Sequence, residues 1–357
     1  MPLLARTVTT PLAIDVRRGA VSELATILAD RRISGRGEVA VVVGPGQGDR
    51  LTELVQKQLG SADVFPVVGG TLQAAQELGS KLAQRPYDAV VGIGGGKTLD
   101  TAKWAASRYG IPMVSVATSL AHDGLASPVA SLAHDGGRGS YGVQIPIAVV
   151  VDLDLVATGP ARQTRSGIGD AISNLSACAD WLLAHEVRGE PVDGLAVTMA
   201  RTGAEALLHH PGEISDDGFL TTLAEALILG GIAMAVSGSS RPCSGGCHEI
   251  SHALDELFPG TGTHGEQVGL GALFCTWLRG DTARFDAMAR CLARHGLPTR
   301  PADLGLTDAQ FVEAVAYAPR TRPDRYTILE HLALSPAEIA QRVADYQEAL
   351  QVPLDQL

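Results

Sequence analysis

The sequence predicts an α/β nucleotide-binding domain followed by an all-α domain. Three observations carry that prediction. Apolar runs rich in β-branched residues alternate with helical patterns as far as Asp152. Beyond Asp152 helical spacing continues alone, and one strand-to-helix junction in the first half is built almost wholly of glycine. The chain has 357 residues, enough for two cores. We place the domains at 1–155 and 156–357.

Buried strands are expected at 39–43, 64–68, 89–93, 113–117 and 147–151, because each is a short apolar run bounded by turn residues. Helices are expected between them at 51–59, 72–82 and 99–107. From 118 to 144 the pattern lapses into Gly, Ser, His and Asp, and Asp135-Gly136-Gly137-Arg138-Gly139 reads as loops or a hairpin. Long stretches of this kind often carry function. In the second half, helical spacing covers 168–183, 194–208, 220–235 and 265–278. A cleft between the domains is the expected ligand site.

The composition excludes several classes. Apolar residues make up 45% and charged residues 19%, so the chain is neither disordered nor a coiled coil. Net charge is −11, with no dense Lys/Arg run, which argues against a nucleic-acid partner. The first residues lack the apolar stretch of a signal peptide, and the longest uncharged apolar run, 226–236, is too short for the roughly 18 residues of a bilayer span. A cytoplasmic protein without membrane insertion is the expectation. Five scattered cysteines, an odd number, read mostly as buried thiols rather than a disulfide framework.

The run Gly92-Ile93-Gly94-Gly95-Gly96-Lys97-Thr98-Leu99-Asp100 follows a predicted strand and opens a helix whose first turn holds Thr98. Glycines let backbone N–H groups approach phosphate oxygens, the helix start adds partial positive charge, and Lys97 offers a cation. A P-loop would need Gly at 91, which is Val91, and the Rossmann fingerprint would need Gly at 97, which is Lys97. The earlier run 44–48 misses the fingerprint at Asp49. A glycine turn that merely closes sheet against helix is the bland alternative.

His248-Glu249-Ile250-Ser251-His252 matches the zinc-protease pattern, but the extended form requires a histidine at 258, which is Phe258. An α/β nucleotide-like domain ahead of it also speaks against a protease. A second source of imidazole, His264, precedes another predicted helix, and Asp170 sits near the start of the first long helix of the second half. One Asp with two His suits a catalytic metal site that keeps an open position. Each of the three also has an ordinary reading as a helix-end charge, a core histidine or a loop residue. His252, four residues from His248, shares its helical face. Cys243 and Cys247 are weak ligand candidates, and His185, His209, His210, His295 and His331 read as surface residues.

Taken in order, these pieces resemble the iron-containing alcohol dehydrogenase and dehydroquinate synthase superfamily over nearly the whole chain. The segments Thr118-Ser119-Leu120-Ala121-His122-Asp123-Gly124-Leu125-Ala126-Ser127-Pro128, Gly238-Ser239-Ser240-Arg241-Pro242, Ser251-His252-Ala253-Leu254-Asp255 and His264-Gly265-Glu266-Gln267-Val268-Gly269 are similar to the sn-glycerol-1-phosphate dehydrogenase family within it. So is Asp324-Arg325-Tyr326-Thr327-Ile328-Leu329. The resemblance implies a dehydroquinate synthase-like fold. It implies that Gly94, Gly95, Gly96, Lys97, Thr98 and Asp100 hold NAD or NADP, with Thr118, Ser119 and Ser127 along the nicotinamide half. Asp170, His248 and His264 then bind one divalent metal, and Asp123, His252 and Asp170 face the substrate.

The implied reaction is metal-dependent interconversion of dihydroxyacetone phosphate and sn-glycerol 1-phosphate, in a homo-oligomer whose partner is a small phosphorylated ketone or alcohol. Long-chain iron-dependent relatives carry a further histidine where this chain has Asn174, which favours zinc or nickel over iron. Gly44-Pro45 after the first predicted strand offers no carboxylate against a 2′-phosphate, so NADP is admissible. Cys247 stands where many relatives have Glu. Alternatives are a glycerol or polyol dehydrogenase, a dehydroquinate synthase-like sugar-phosphate cyclase, and a catalytically inert sensor. Arg241 is either a phosphate partner or a helix cap.

Overall fold

A computed structural model describes residues 8–35, 37–45, 48–59, 62–135 and 137–351. Residues 1–7, read for a leader, Gly46 and Gln47 of the earlier glycine run, and Gly136 of the expected hairpin lie outside the described residues. The chain forms two compact units, Met1–Pro160 and Ala161–Leu357.

The first unit contains strands β1 (Ala13–Arg17), β2 (Glu38–Val43), β3 (Asp63–Pro66), β4 (Tyr87–Gly94), β5 (Met113–Ala117), β6 (Val129–His134), β7 (Gly137–Gly142) and β8 (Ala148–Asp152). Its helices are α1 (Leu24–Leu28), α2 (Gly48–Leu59), α3 (Leu72–Leu82), α4 (Gly96–Arg108) and α5 (Leu153–Thr158). Six strands form one sheet in the order β1-β8-β5-β4-β2-β3, and every described pairing in it is parallel. Parallel strands covered on both faces must be apolar throughout, which is why β2, β4, β5 and β8 read as continuous Val/Ile/Ala runs. The order reverses between β2, which leads outward to β3, and β4, which leads the other way to β5. The glycine junction after β4 therefore sits at a topological switch point, where the C-terminal strand ends leave a crevice.

The expected strands are all present, 113–117 with the same bounds and the others shifted by a residue or two. Strand β3 stops at Pro66 instead of running to Val68, which is 82% exposed. Strand β1 escaped the sequence reading because Ala-Ile-Asp-Val-Arg is a short edge strand, with Asp15 and Arg17 paired to each other at 2.9 Å. Strands β6 and β7 form an antiparallel hairpin whose Ala130 and Leu132 pack with Ala75 of α3. Gly137, at φ 122°, supplies a left-handed turn position.

The second unit is helical: α6 (Ala161–Arg188), α7 (Gly194–Leu208), α8 (Asp217–Ser237), α9 (Gly246–Leu257), α10 (His264–Leu278), α11 (Thr282–Arg294), α12 (Asp308–Tyr317), α13 (Ile328–Leu332) and α14 (Pro336–Ala349). Helix α7 has the expected bounds, whereas α6, α8 and α10 begin earlier than the apolar period suggests, because first turns made of Gly, Ala, Asp or polar residues carry no periodic signal. Helix α8 is long and apolar enough to cross a membrane by length and composition, yet 72% of its apolar window is buried and it packs on α7 and α6. All five cysteines are free and buried. His295, expected at the surface, is 3% exposed and lies against the Phe219 ring, at a centroid distance of 4.7 Å.

Candidate active site

Helices α6, α9 and α10 meet at glycines. A Cβ on Gly265 would lie 1.7 Å from the Ser166 carbonyl oxygen, and one on Gly169 would lie 2.1 Å from Gly265 O. On the other side of α10, a Cβ on Gly271 would come within 2.8 Å of Cys247 O. Backbone-to-backbone contact at these points brings together three side chains from three helices: Asp170 of α6, His248 of α9 and His264 of α10. Their ligand atoms all lie within 4.8 Å of one another. His264 Nε2 stands 3.5 Å from Asp170 Oδ1, and the His248 and His264 rings are 5.1 Å apart. Asp170 lies in the third turn of α6, deeper than the sequence reading put it, because the helix starts at Ala161.

The imidazoles are held from behind. Ser251 Oγ donates to Gln267 Oε1 at 2.7 Å and lies 3.4 Å from His264 Nδ1. With its proton given to Gln267, the hydroxyl is left to accept from Nδ1–H, which leaves Nε2 as the lone-pair nitrogen facing Asp170. Gln267 is itself fixed, donating to Asp255 Oδ1 at 3.0 Å and to Thr261 O at 2.7 Å. His248 Nδ1 lies 3.4 Å from Cys247 Sγ. Burial pushes the Cys247 thiol up to about 12, and it stands behind the histidine, outside the group of converging ligand atoms. Thr263 caps α10 with Glu266 in a reciprocal capping box, and Glu266 also pairs with Arg162 at 2.7 Å, which fixes the helix start that carries His264.

Burial, followed by the neighbouring imidazoles and the Arg325 and Arg322 charges, pushes His248 well below its ordinary value. His252 is pushed down to about 3 by burial and then by the Arg322 guanidinium. Both imidazoles are neutral, the form that offers a lone pair. The His252 ring centroid is 6.5 Å from that of His248. One carboxylate and two imidazoles, converging and held from behind, fit a divalent cation with an open position.

In the first unit, the glycines at the switch point are explained by Thr98 and His122. A Cβ on Gly44 or Gly94 would meet the buried Thr98 side chain at 2.3 or 2.8 Å, and one on Gly96 would sit 2.1 Å from His122 Nε2. Gly95 N-caps α4, and Ser119 Oγ is 3.1 Å from where its Cβ would be. Thr118 N–H donates to Gly94 O at 3.1 Å. Lys97 is exposed on the first turn. The result is a helix N-terminus ringed by backbone, a suitable receptor for a diphosphate.

Three comparisons bear on this arrangement. The iron-containing alcohol dehydrogenase family model matches residues 15–160. A glycerol-1-phosphate dehydrogenase (NAD(P)+) of Hyperthermus butylicus is 36% identical over 341 residues, 94% of this chain and 96% of that protein. A glycerol-1-phosphate dehydrogenase (NAD(P)+) of Methanosarcina mazei is 33% identical over 340 residues, 93% and 94% of the two chains. The chain belongs to the glycerol-1-phosphate dehydrogenase family. Among solved structures, a probable glycerol dehydrogenase from Sinorhizobium meliloti 1021 shares the fold, with a TM-score of 0.78 at 24% identity over 98% of this chain and all of that one.

In this family member, several residues singled out in the sequence stand in structural positions. Asp100 is buried, with Oδ1 2.9 Å from Lys103 Nζ and Oδ2 accepting from Ser131 N–H at 3.1 Å. It lies under the hairpin, in place of an open position at the junction. The fully buried Lys103 in turn donates to Gly124 O (2.7 Å), Ser127 O (3.3 Å) and Val129 O, tying down the segment that carries Asp123 and Ser127. Ser127 is 1% exposed and its hydroxyl turns to Val129 O at 3.3 Å, while Asp123 is half-buried at the start of the 3₁₀ turn 123–125.

Arg241 is neither of the alternatives weighed for it. It is buried, pairs with Glu190 and donates to Tyr326 O at 3.0 Å, a brace between the α6–α7 connection and the segment before α13. Nothing in the sequence marked the role of Lys103, and Ser251, Gly265 and Gly269 figured there only as members of motifs. The glycines left a legible trace all the same: Gly169, Gly265 and Gly269 flank Asp170 and His264, where a helix-forming sequence has no local reason for glycine.

Proposed function

We propose that this protein is a metal-dependent NAD(P)H oxidoreductase that interconverts dihydroxyacetone phosphate and sn-glycerol 1-phosphate. The observation that carries the reading is the Asp170, His248, His264 trio, whose ligand atoms converge within 4.8 Å behind oriented imidazoles. The named activity of relatives that match along more than nine-tenths of this chain supports it. Zinc is the proposed ion, since Asn174 occupies the position of a further ligand in long-chain iron-dependent relatives.

An ion in the trio supplies Lewis acidity toward a ketone oxygen, and a dinucleotide at the glycine junction supplies the hydride. This chain's residues do the rest. Gly94, Gly95, Gly96 and Thr98 present the α4 N-terminus to the diphosphate, with Lys97 beside it and Thr118 and Ser119 along the next strand end. In this proposal Asp123 and Asp170 orient substrate hydroxyls. His252, neutral and with one N–H and one lone pair, relays a proton to the oxygen that gains charge during reduction; it does not store one. Asp100 and Ser127 contribute by holding the loop. The same reading takes the working form to be a homo-oligomer.

The test is NADH and NADPH oxidation by metal-stripped protein resupplied with zinc, nickel or iron, against dihydroxyacetone phosphate and dihydroxyacetone. Metal-dependent turnover with the phosphorylated ketone is expected, together with loss of both metal and activity in Asp170→Ala, His248→Ala and His264→Ala. Equal turnover of the unphosphorylated ketone would make the protein a polyol dehydrogenase instead.

A further inference from the structure

The chain from Tyr317 to Thr327 runs back along α9. At one end the Tyr317 hydroxyl donates to Glu256 Oε1, on the last turn of α9, at 2.6 Å. At the other, Arg325 donates through Nη1 to Ser244 O and through Nη2 to Ser240 Oγ at 3.0 Å, just ahead of the helix. Thr327 Oγ1 donates to Glu249 Oε2 at 3.1 Å, in the first turn. Between these ties the 3₁₀ turn Ala318–Thr321 packs against α9. Arg322 follows directly after that turn. It is therefore held level with the middle of α9, where His252 lies one helical turn from His248.

Ion pairs hold some arginines of this unit and not others. Arg162, Arg241, Arg279 and Arg284 are each paired with a carboxylate. Among the described residues of the unit, no carboxylate oxygen lies within ion-pair distance of Arg322 or Arg325, and the Arg322 guanidinium has no hydrogen-bond acceptor. Glu249 attracts it only through space. The Arg322 charge, on the chain that packs along α9, contributes to holding both imidazoles of that helix below their ordinary values. Two guanidinium groups without counter-charges next to neutral histidines form a receptor for an anion, and the planar fork of Arg suits a phosphate.

We propose that Arg322, backed by Arg325, seats the phosphate of the substrate beside His252 and so sets the preference for a phosphorylated ketone. The assignment rests on the dehydrogenase reading above. In that reading, a short C–CH₂–O–P linkage joins the phosphate to the carbon that is reduced, so the anion seat must adjoin the metal trio. Arg241, the arginine that the sequence suggested for this role, is neutralised by Glu190 and leaves the task to Arg322.

The test compares the unsubstituted protein with Arg322→Gln and Arg322→Lys, all zinc-loaded, with zinc content and melting temperature checked for each. The ratio of kcat/KM for dihydroxyacetone phosphate over dihydroxyacetone should fall about 100-fold in Arg322→Gln, the scale of a lost charge-assisted bidentate contact, and recover in part in Arg322→Lys. Calorimetry with inorganic phosphate should show binding to the unsubstituted protein and none to Arg322→Gln. An unchanged ratio and unchanged phosphate binding in Arg322→Gln would overturn the seat while leaving the dehydrogenase reading intact. Phosphate binding that depends on Arg322 without turnover of either ketone would keep the anion seat and overturn the reading beneath it.

Discussion

Gly265→Ala is the most direct way to ask whether the metal trio depends on how closely α6 and α10 approach. The new Cβ would lie 1.7 Å from Ser166 O, 2.4 Å from Ser166 C and 2.8 Å from its Cα, all backbone atoms with no rotamer to yield. Ordinary contact with an oxygen begins above 3 Å, so the helices must part by more than an ångström. Overpacking of this kind typically costs about 1–3 kcal/mol, and a backbone-on-backbone clash belongs at the upper end. The same displacement carries His264 away from Asp170, now 3.5 Å apart, and zinc affinity should drop roughly 10- to 100-fold, as when ligand-orienting contacts are lost. Gly218→Ala is the control. It lies in α8 with nothing within 4 Å of its Cβ, and should stabilise by about 0.4–1 kcal/mol. Denaturant melts report the stability, and competition with a chromophoric chelator reports the zinc. If Gly265→Ala binds zinc as tightly as the unsubstituted protein, close helix approach does not build the site.

Three further outcomes follow from contacts described above. Ser251→Ala removes the hydroxyl behind His264 Nδ1 and should weaken zinc roughly 10-fold without unfolding the protein, measured by the same chelator competition; unchanged affinity would show that the tautomer is set elsewhere. Lys103→Met strips the cation from the buried Asp100 carboxylate and removes one donor from each of three carbonyls, of which Val129 O keeps the Ser127 hydroxyl, so denaturant melts should show a loss of about 3–5 kcal/mol, and a loss below 1 kcal/mol would refute the tether. Burial pushes the Cys178 thiol up to about 12 and Cys291 up to about 11, so almost no thiolate exists at pH 8, and a thiol reagent should modify none of the five cysteines until denaturant is added. Rapid labelling of the native protein would contradict that burial.

The parts of the fold that were readable from sequence are those where one physical demand dominates a whole segment. The interior strands of a parallel sheet must be apolar at every position, and β2, β4, β5 and β8 announce themselves by that alone. Strand β1 satisfies the same sheet from its edge with an Asp–Arg pair and so looks like surface chain. The metal residues were readable as chemistry, since an aspartate in the first long helix and histidines at 248 and 264 are few enough to enumerate. Their supports were not. Whether Asp100 faces a ligand or a lysine depends on which residues the hairpin brings over α4, and spacing holds no record of that. Arg241 and Arg322 are equally basic in sequence; only Glu190, some fifty positions away in the chain, separates a structural brace from a free charge.

Helix α8 bears on how this protein must be made. A 21-residue segment of such apolarity, emerging bare from a ribosome, presents the features that membrane-insertion machinery and aggregation both select. Its packing partners α6 and α7 precede it in the chain, so they have already been synthesised when α8 appears. The order of the helices thus lets translation itself supply the shelter. A permuted gene that places α8 ahead of α6 and α7 encodes the same contacts but delivers the apolar segment before anything can cover it.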